Sequence, residues 1–582
     1  MRHLLRAAVL VCLASSAVAD TRWTMVRTPS LTVIGDQSPA ALRDVAIQLE
    51  QFRSVVAGQI AGADRPPSLP TNVFVFGTRN ALRPYQPLSS GRPASLAGFF
   101  QRDGDVNTIA LSLERVDESS AVTYHEYTHL LVGNAVRNMP VWLNEGLAEY
   151  YSTYRLVDGG REAQIGRPPE GRLALLRQDS LPLTQVIAVD HASALYNESD
   201  KRSIFYAESW ALTHYVLTQL PKGGEAINAY VAAIGEGRTP DEAFFAAFGQ
   251  TPAQFDRLLR VYVQRSLFAG TRFTFPETLA VPEPGAPRAL SYSEANAWLG
   301  DLQRRVGRDA EAAPRIDAAV AADPDNPTTH LTAGLLRFTQ QRTSEGLLEM
   351  ERAAALAPND FETQFLHGVW LLREDLVGST RNSESAVLAL ARAAVLRPES
   401  SDAHAWLAYA QMQNDRTLAD ARRSIETAIE LAPGRIDHRL RWADVRMLQG
   451  GYKDARTLLA QIADLRSDPR AADGAQQRLN QLDEYQQQAS RTQQLLRKTQ
   501  PGEQRVSGRL TRVECTAEGI RFHLDAGGQT IVTPPTSLDD VEMISYLDGT
   551  ELTLECGARP QLDPVALTTR GGTAVAIEFL RR

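Results

Sequence analysis

The sequence predicts a multidomain chain: an α+β domain first, an all-α solenoid of paired helices in the middle, and a small β domain at the end. Three observations predict it. Residues 22–115 mix strand-like alternation with a helical stripe, and residues 116–270 are mainly helical in pattern. From about residue 291, small residues and turn prolines recur with a period near 34. After about residue 503, short strand-like runs alternate with Gly, Pro and Asp. A chain of 582 residues is also too long for one hydrophobic core.

Residues 1–19 read as a secretory signal peptide. Arg2 and Arg6 supply the basic region, Leu4 to Ala14 the apolar run, and Ala17-Val18-Ala19 the small-residue cleavage pattern. Cys12 follows Val11 rather than a small residue, which does not fit a lipid attachment site. Cleavage is expected after Ala19, giving an exported protein, periplasmic or secreted. No later stretch is long and apolar enough for a membrane span. The net charge of −8 is modest for this length and gives no reason to expect a nucleic-acid partner.

The first domain is expected over residues 20–272. Leu31 to Ile34 and Val73 to Phe76 are strand-like, and Pro39 to Val56 carries Leu42, Val45, Leu49 and Phe52 on one helical stripe. The chemistry concentrates in His125-Glu126-Tyr127-Thr128-His129. The spacing predicts a helix over 117–134, with Asp117, Ser119 and Ser120 as candidate caps and Gly133-Asn134 as a stop. Side chains four apart share a helical face, so His125 and His129 can hold one metal ion. Pro140 suits the first turn of a second helix that carries Glu145 and Glu149 on one face. Two imidazoles and the Glu145 carboxylate leave a fourth position open, as a catalytic Zn2+ site requires. Glu126, beside that face, is placed to act as general base.

At these residues the chain resembles the gluzincin superfamily of zinc metallopeptidases. Pro140-Val141-Trp142-Leu143-Asn144-Glu145-Gly146-Leu147-Ala148-Glu149 is similar to the Trp-Leu-Asn-Glu-Gly block of zinc aminopeptidases. A closer resemblance is to exported bacterial proteins described as peptidase MA-like, often with tetratricopeptide repeats behind the catalytic domain. The resemblance covers about residues 22–270. It implies a gluzincin-like domain with Glu145 as third zinc ligand and Glu149 as the carboxylate that orients His125. It also implies a Tyr or His donor for the oxyanion well downstream; Tyr206 is the first candidate and His214 the second. Substrate binding in this superfamily uses an edge strand ahead of the histidine helix, and the alternating stretch Asn107 to Leu113 stands in that place. The Gly-Ala-Met-Glu-Asn block of aminopeptidases is absent from the sequence, so a strict aminopeptidase is not implied.

Residues 273–290 hold Pro276, Pro282, Pro284 and Pro287 and predict an extended linker. Beyond it, Pro324, Pro358, Pro398, Pro433 and Pro469 are spaced by 34, 40, 35 and 36. Matching small residues precede them: Gly300, Ala312 and Ala319, then Gly334, Gly346 and Ala353, then Gly368, Ala386 and Ala393, then Ala408, Ala421 and Ala428. A weaker fifth unit has Ala443, Ala455 and Ala463. This is the tetratricopeptide pattern, in which small residues let paired helices approach closely, and about five repeats are expected over 291–471. The third has about six extra residues between its helices. Residues 472–502 predict a capping helix, and 503–582 a small β-barrel-like domain with strands near 508–515, 519–524, 530–532, 551–556 and 574–579. Cys515 and Cys556, left after export, are a disulfide candidate on compartment.

These observations predict an exported zinc metallopeptidase that hydrolyses peptide bonds, with repeats that recruit substrate or a protein partner. Two other readings stay open at this level: a non-catalytic repeat scaffold or assembly factor with a retained peptidase fold, and a zinc hydrolase of a non-peptide amide.

Overall fold

The computed structural model describes residues 23–60, 67–89, 92–94, 96–136, 139–169, 171–197, 199–372, 380–465, 468–526, 529–546 and 554–580. The expected signal peptide and the extra residues of the third repeat (373–379) lie outside these. The chain is multidomain and mostly helical with several sheets. Its contacts divide it into two units: 1–131, 151–167 and 270–358 in one, and 132–150, 168–269 and 359–582 in the other.

The first unit is built on a six-stranded sheet. Its strand order is Arg288–Ala289, Thr24–Arg27, Thr32–Gly35, Thr71–Phe76, Asn107–Ser112, Gly98–Arg102. The central strands are parallel, Thr32–Gly35 to Thr71–Phe76 and the latter to Asn107–Ser112. The helix Pro39–Ala57 is the crossover that a parallel step requires. Ser38 caps it by accepting from the Ala41 N–H, and Leu42, Ala46, Leu49, Phe52 and Val56 are buried along its inner face. Thr71–Phe76 and Asn107–Ser112 are buried along their whole length, the mark of strands covered on both faces.

That burial corrects one expectation. The stretch Asn107 to Leu113 is not an edge. It is paired in parallel with Thr71–Phe76 on one side and antiparallel with Gly98–Arg102 on the other. The outer strand is Gly98–Arg102, whose exposure rises from buried Gly98 to exposed Arg102. Five residues with two adjacent phenylalanines offer no clear alternation, so this strand escaped the sequence pattern.

The Pro-rich segment 273–290, read as an extended linker, is bonded at several points to the first unit. Thr271–Thr274 pairs with Glu162–Ile165. The Phe275 and Leu279 N–H groups donate to Arg161 and Gly160, Gly285 N–H to Arg27, and Arg288–Ala289 pairs with Thr24–Arg27. Backbone N–H groups that the prolines leave in this path thus find carbonyl partners at several points along it.

The helix Tyr292–Arg305 then closes the sheet's core. Its Trp298, Leu299 and Leu302 pack with Met25, Ile34, Phe74, Phe76 and Phe99. Beside them the buried Arg305 guanidinium bonds Asp301, Asp103 and Asp105. A buried cation so surrounded pins the helix in register on the sheet. This is the first helix of the repeat pattern.

Helices then follow in pairs: Tyr292–Arg305 with Asp309–Ala322, Pro327–Thr339 with Thr343–Leu356, Phe361–Trp370 with Thr380–Leu396, Ser401–Gln411 with Leu418–Leu431, and Ile436–Leu448 with Tyr452–Ala463. The small residues sit at the interhelical contacts; Ala408, Ala421 and Ala428 are fully buried in one cluster. A long helix, Pro469–Leu495, ends the array.

The last sheet has the order Gln529–Val532, Gly519–Ala526, Glu503–Thr516, Gly557–Arg570, Thr573–Phe579, Glu542–Ser545. Among the described residues its two outer strands do not pair with each other. The strand expected at 551–556 falls partly outside the described residues. The long strand Gly557–Arg570 carries that pairing instead. Pro560 and Pro564 disguised it in the sequence. Cys515 and Cys556 are joined by a disulfide that closes 41 residues of chain.

Candidate metal centre

The helix Val116–Ala135 carries the two histidines, and the helix Val141–Tyr151 carries Glu145 and Glu149. The first starts ahead of Asp117 and runs through Gly133 and Asn134, one residue longer at each end than the spacing predicts. It is anchored by its apolar face. Phe52 stacks on Tyr124 with ring centres 4.5 Å apart, and Tyr127 lies 6.0 Å from the same ring. Tyr124, Tyr127, Leu130 and Leu131 are buried, while His125, Glu126 and His129 keep partial exposure. The face opposite the core is therefore the one that carries the polar motif.

The second helix is buried almost throughout. Trp142 is fully buried and donates its indole N–H to the Tyr230 hydroxyl at 3.2 Å. Gly146 allows the helix to lie against Ser199–Gln219. A Cβ at Gly146 would come within 2.1 Å of Thr213 Oγ1 and 2.4 Å of Ser209 O.

His125, His129 and Glu145 each offer a ligating atom, and these atoms all lie within 4.8 Å of one another. The two imidazole Nε2 atoms are 3.2 Å apart. Two nitrogens bound tetrahedrally to one zinc ion stand about 3.3 Å apart, given Zn–N bonds of about 2.0–2.1 Å. The donor set of two imidazoles and a carboxylate also suits zinc. The residues present therefore fit the ion.

Around this cluster the structure places groups the sequence did not point to. The Tyr196 hydroxyl donates to Glu145 Oε1 at 3.2 Å, from the four-residue helix Ala194–Asn197. Glu149, almost buried, is gripped by Arg172, with Nε on Oε2 at 3.2 Å and Nη2 on Oε1 at 2.5 Å. Arg172 also lies over the Tyr206 ring, 5.7 Å from its centre. Neither Tyr196 nor Arg172 stands in a periodic pattern near the motif, and no sequence signal would have found them.

Of the two downstream candidates, Tyr206 is half-buried beneath Arg172. His214 is fully buried in an aromatic cluster of Tyr150, Trp210, Tyr262 and Phe268. Its Nδ1 lies 2.8 Å from the Tyr262 hydroxyl, whose titration burial pushes up. That environment is helix packing, as expected of an aromatic ring on the inner face of Ser199–Gln219.

A second group with metal-ligand chemistry, Asp402, Asp437 and His438, lies in the fourth and fifth helix pairs. Here Arg435 supplies the countercharge: it bonds both Asp402 oxygens at 3.0 Å and Asp437 at 2.7 Å. The cluster is an ion-pair network that locks the turn between two repeats.

With the geometry established, comparison adds a family match over part of the chain. Residues 67–265 match the Peptidase MA superfamily. This Peptidase MA match spans His125, Glu126, His129, Glu145, Glu149, Arg172, Tyr196 and Tyr206. It begins after the first two strands and the helix Pro39–Ala57, although these share the same core. No curated protein matches the chain. Among solved structures, the chain is similar to YrrB, a TPR protein with an unusual peptide-binding site, at 17% identity over 31% of this chain and 91% of that one, with a TM-score of 0.27. It is also similar to PilF of Pseudomonas aeruginosa (20% identity, 33% and 91% covered, TM-score 0.26). A third is TTC0263, a thermophilic TPR protein of Thermus thermophilus (16% identity, 33% and 98% covered, TM-score 0.26).

Proposed function

We propose that the chain is an exported zinc metallopeptidase that hydrolyses peptide bonds. The observation that carries this reading is the convergence of the His125 and His129 Nε2 atoms, 3.2 Å apart, with Glu145 in the same cluster. The Peptidase MA match over 67–265 supports it independently. His125, His129 and Glu145 would hold the zinc ion. When bound, zinc supplies a Lewis acid that polarises a carbonyl and lowers the pKa of water.

The chain's own residues do the rest. Glu126 takes a proton from the attacking water and delivers it to the leaving nitrogen. Tyr196, bonded to Glu145, holds that carboxylate in one orientation. Tyr206 is the donor for the developing oxyanion. The strand Gly98–Arg102, outermost in its sheet among the described residues, is where we place an extended peptide adding as a further strand. We assign substrate or partner recruitment to the repeats at 291–471. Export rests on residues 1–19, and the Cys515–Cys556 disulfide agrees with an oxidising compartment.

Elemental analysis of the purified mature chain tests the reading, followed by a peptide-library screen. About one zinc per chain is expected, with hydrolysis lost on chelation and restored by zinc. Glu126→Gln is expected to keep the metal and lose about 10²–10⁴-fold in kcat. A wild-type chain that takes up no zinc would sink the proposal. A Glu126→Gln chain that fully retains its cellular role would favour the scaffold reading.

A further inference from the structure

We propose that Arg172 is a positioning residue for the metal centre, joining the helix that carries Glu145 to Tyr206. The inference rests on the metallopeptidase reading above and names a residue that reading does not use.

Glu149 follows Glu145 by one helical turn, so both project from the same face of Val141–Tyr151. Glu149 as a whole residue is only 4% exposed. A carboxylate so buried needs a cation with matching geometry, and the planar guanidinium fork supplies two parallel bonds. Arg172 makes both, through Nε at 3.2 Å and Nη2 at 2.5 Å. Fixing Glu149 at two points fixes the rotation of the helix about its axis, and with it the direction in which Glu145 points.

The same guanidinium acts on a third element. Its Nη1 donates to Ser203 O at 3.4 Å, and its centre lies 5.7 Å from the Tyr206 ring. Ser203 and Tyr206 belong to the helix Ser199–Gln219. Arg172 itself is the first residue of Arg172–Gln178, entered through Gly171 at φ +76°, a turn that aims the side chain back across the two helices. One side chain thus spans three helices, and two of them carry groups assigned to the reaction.

Two roles follow from this geometry and they separate experimentally. A residue that only neutralises Glu149 matters to stability alone. A positioning residue matters to the metal site even when charge and fold are kept. Arg172→Lys keeps the charge and loses the planar fork. In the full mature chain it is expected to bind zinc at least about tenfold more weakly, read by competition with a chelating dye. The visible absorption of the Co2+-loaded chain is expected to change in band position or intensity, while the unfolding midpoint of the metal-free chain stays near wild type. Arg172→Gln, which keeps donors but not charge, is expected to show the same spectral change with a lowered midpoint. An Arg172→Lys chain with wild-type zinc affinity and an unchanged Co2+ spectrum would overturn the inference and leave the metal reading intact. A wild-type chain that takes up neither zinc nor Co2+ would overturn both.

Discussion

Gly146 stands next to Glu145, and its missing side chain is as much part of the site as the carboxylate. The helix Val141–Tyr151 can approach Ser199–Gln219 only because no Cβ intrudes on Thr213 Oγ1 and Ser209 O. One of these is backbone, which cannot move aside cheaply. Gly146→Ala is therefore expected to destabilise the chain by about 1–3 kcal/mol, measured by urea unfolding, and to weaken zinc binding as the helix is displaced. The sequence displayed Asn-Glu-Gly, but the reason for the glycine lies 63 residues later, at Ser209. The clustering of His125, His129 and Glu145 was legible because their spacing is set within two helices. Arg172 and Tyr196 were not, because a loop and a four-residue helix bring them in and no local period marks them.

At the scale of elements, the helices were read most accurately. Pro39–Ala57 and the paired repeat helices follow the 3.6-residue period that the sequence carries. Strands fared worse where pairing, not pattern, decides the role. Asn107–Ser112 alternates well, yet only the hairpin with Gly98–Arg102 makes it internal. The helix Phe361–Trp370 carries a titratable group with a readable consequence. Burial pushes the His367 imidazole down to about 4, and neither ring nitrogen has a hydrogen-bond partner among the described residues. The native value lies below the unfolded one near 6.5, so the unfolded chain binds the proton more readily. The His367 contribution to stability is full above about pH 6.5 and is lost as pH drops toward 4, by on the order of 2 kcal/mol. Thermal midpoints across that range are expected to decline, and His367→Gln to flatten part of the decline.

For the whole molecule, the boundary suggested by composition is not a boundary in packing. Residues 273–290 look like a linker, but they add hydrogen bonds and a strand to the first sheet. The first repeat helix then supplies Trp298, Leu299 and Leu302 to its core. Burial of each such side chain contributes about 1.5–3 kcal/mol, a sum comparable to the entire stability of a typical domain. A fragment ending at Leu290 is therefore expected to aggregate or melt without a cooperative transition in a thermal scan, where the full mature chain unfolds cooperatively. A fragment with a full-length melting profile would contradict this. The fourth repeat also meets the end of the histidine helix: a Cβ on Gly434 would come within 2.7 Å of Gly133 O and 2.9 Å of Val136 O.

By itself the sequence determined the His-Glu-x-x-His motif, the helical periods, the repeat spacing and the β character of the last 80 residues, because each is written in local order and in residue chemistry. Tertiary structure alone decided which strand is outermost, that the proline-rich segment is bound, and that Tyr196 and Arg172 reach Glu145 and Glu149. Those outcomes depend on which distant surfaces bury one another and on where buried charges find partners. Neither leaves a periodic trace along the chain.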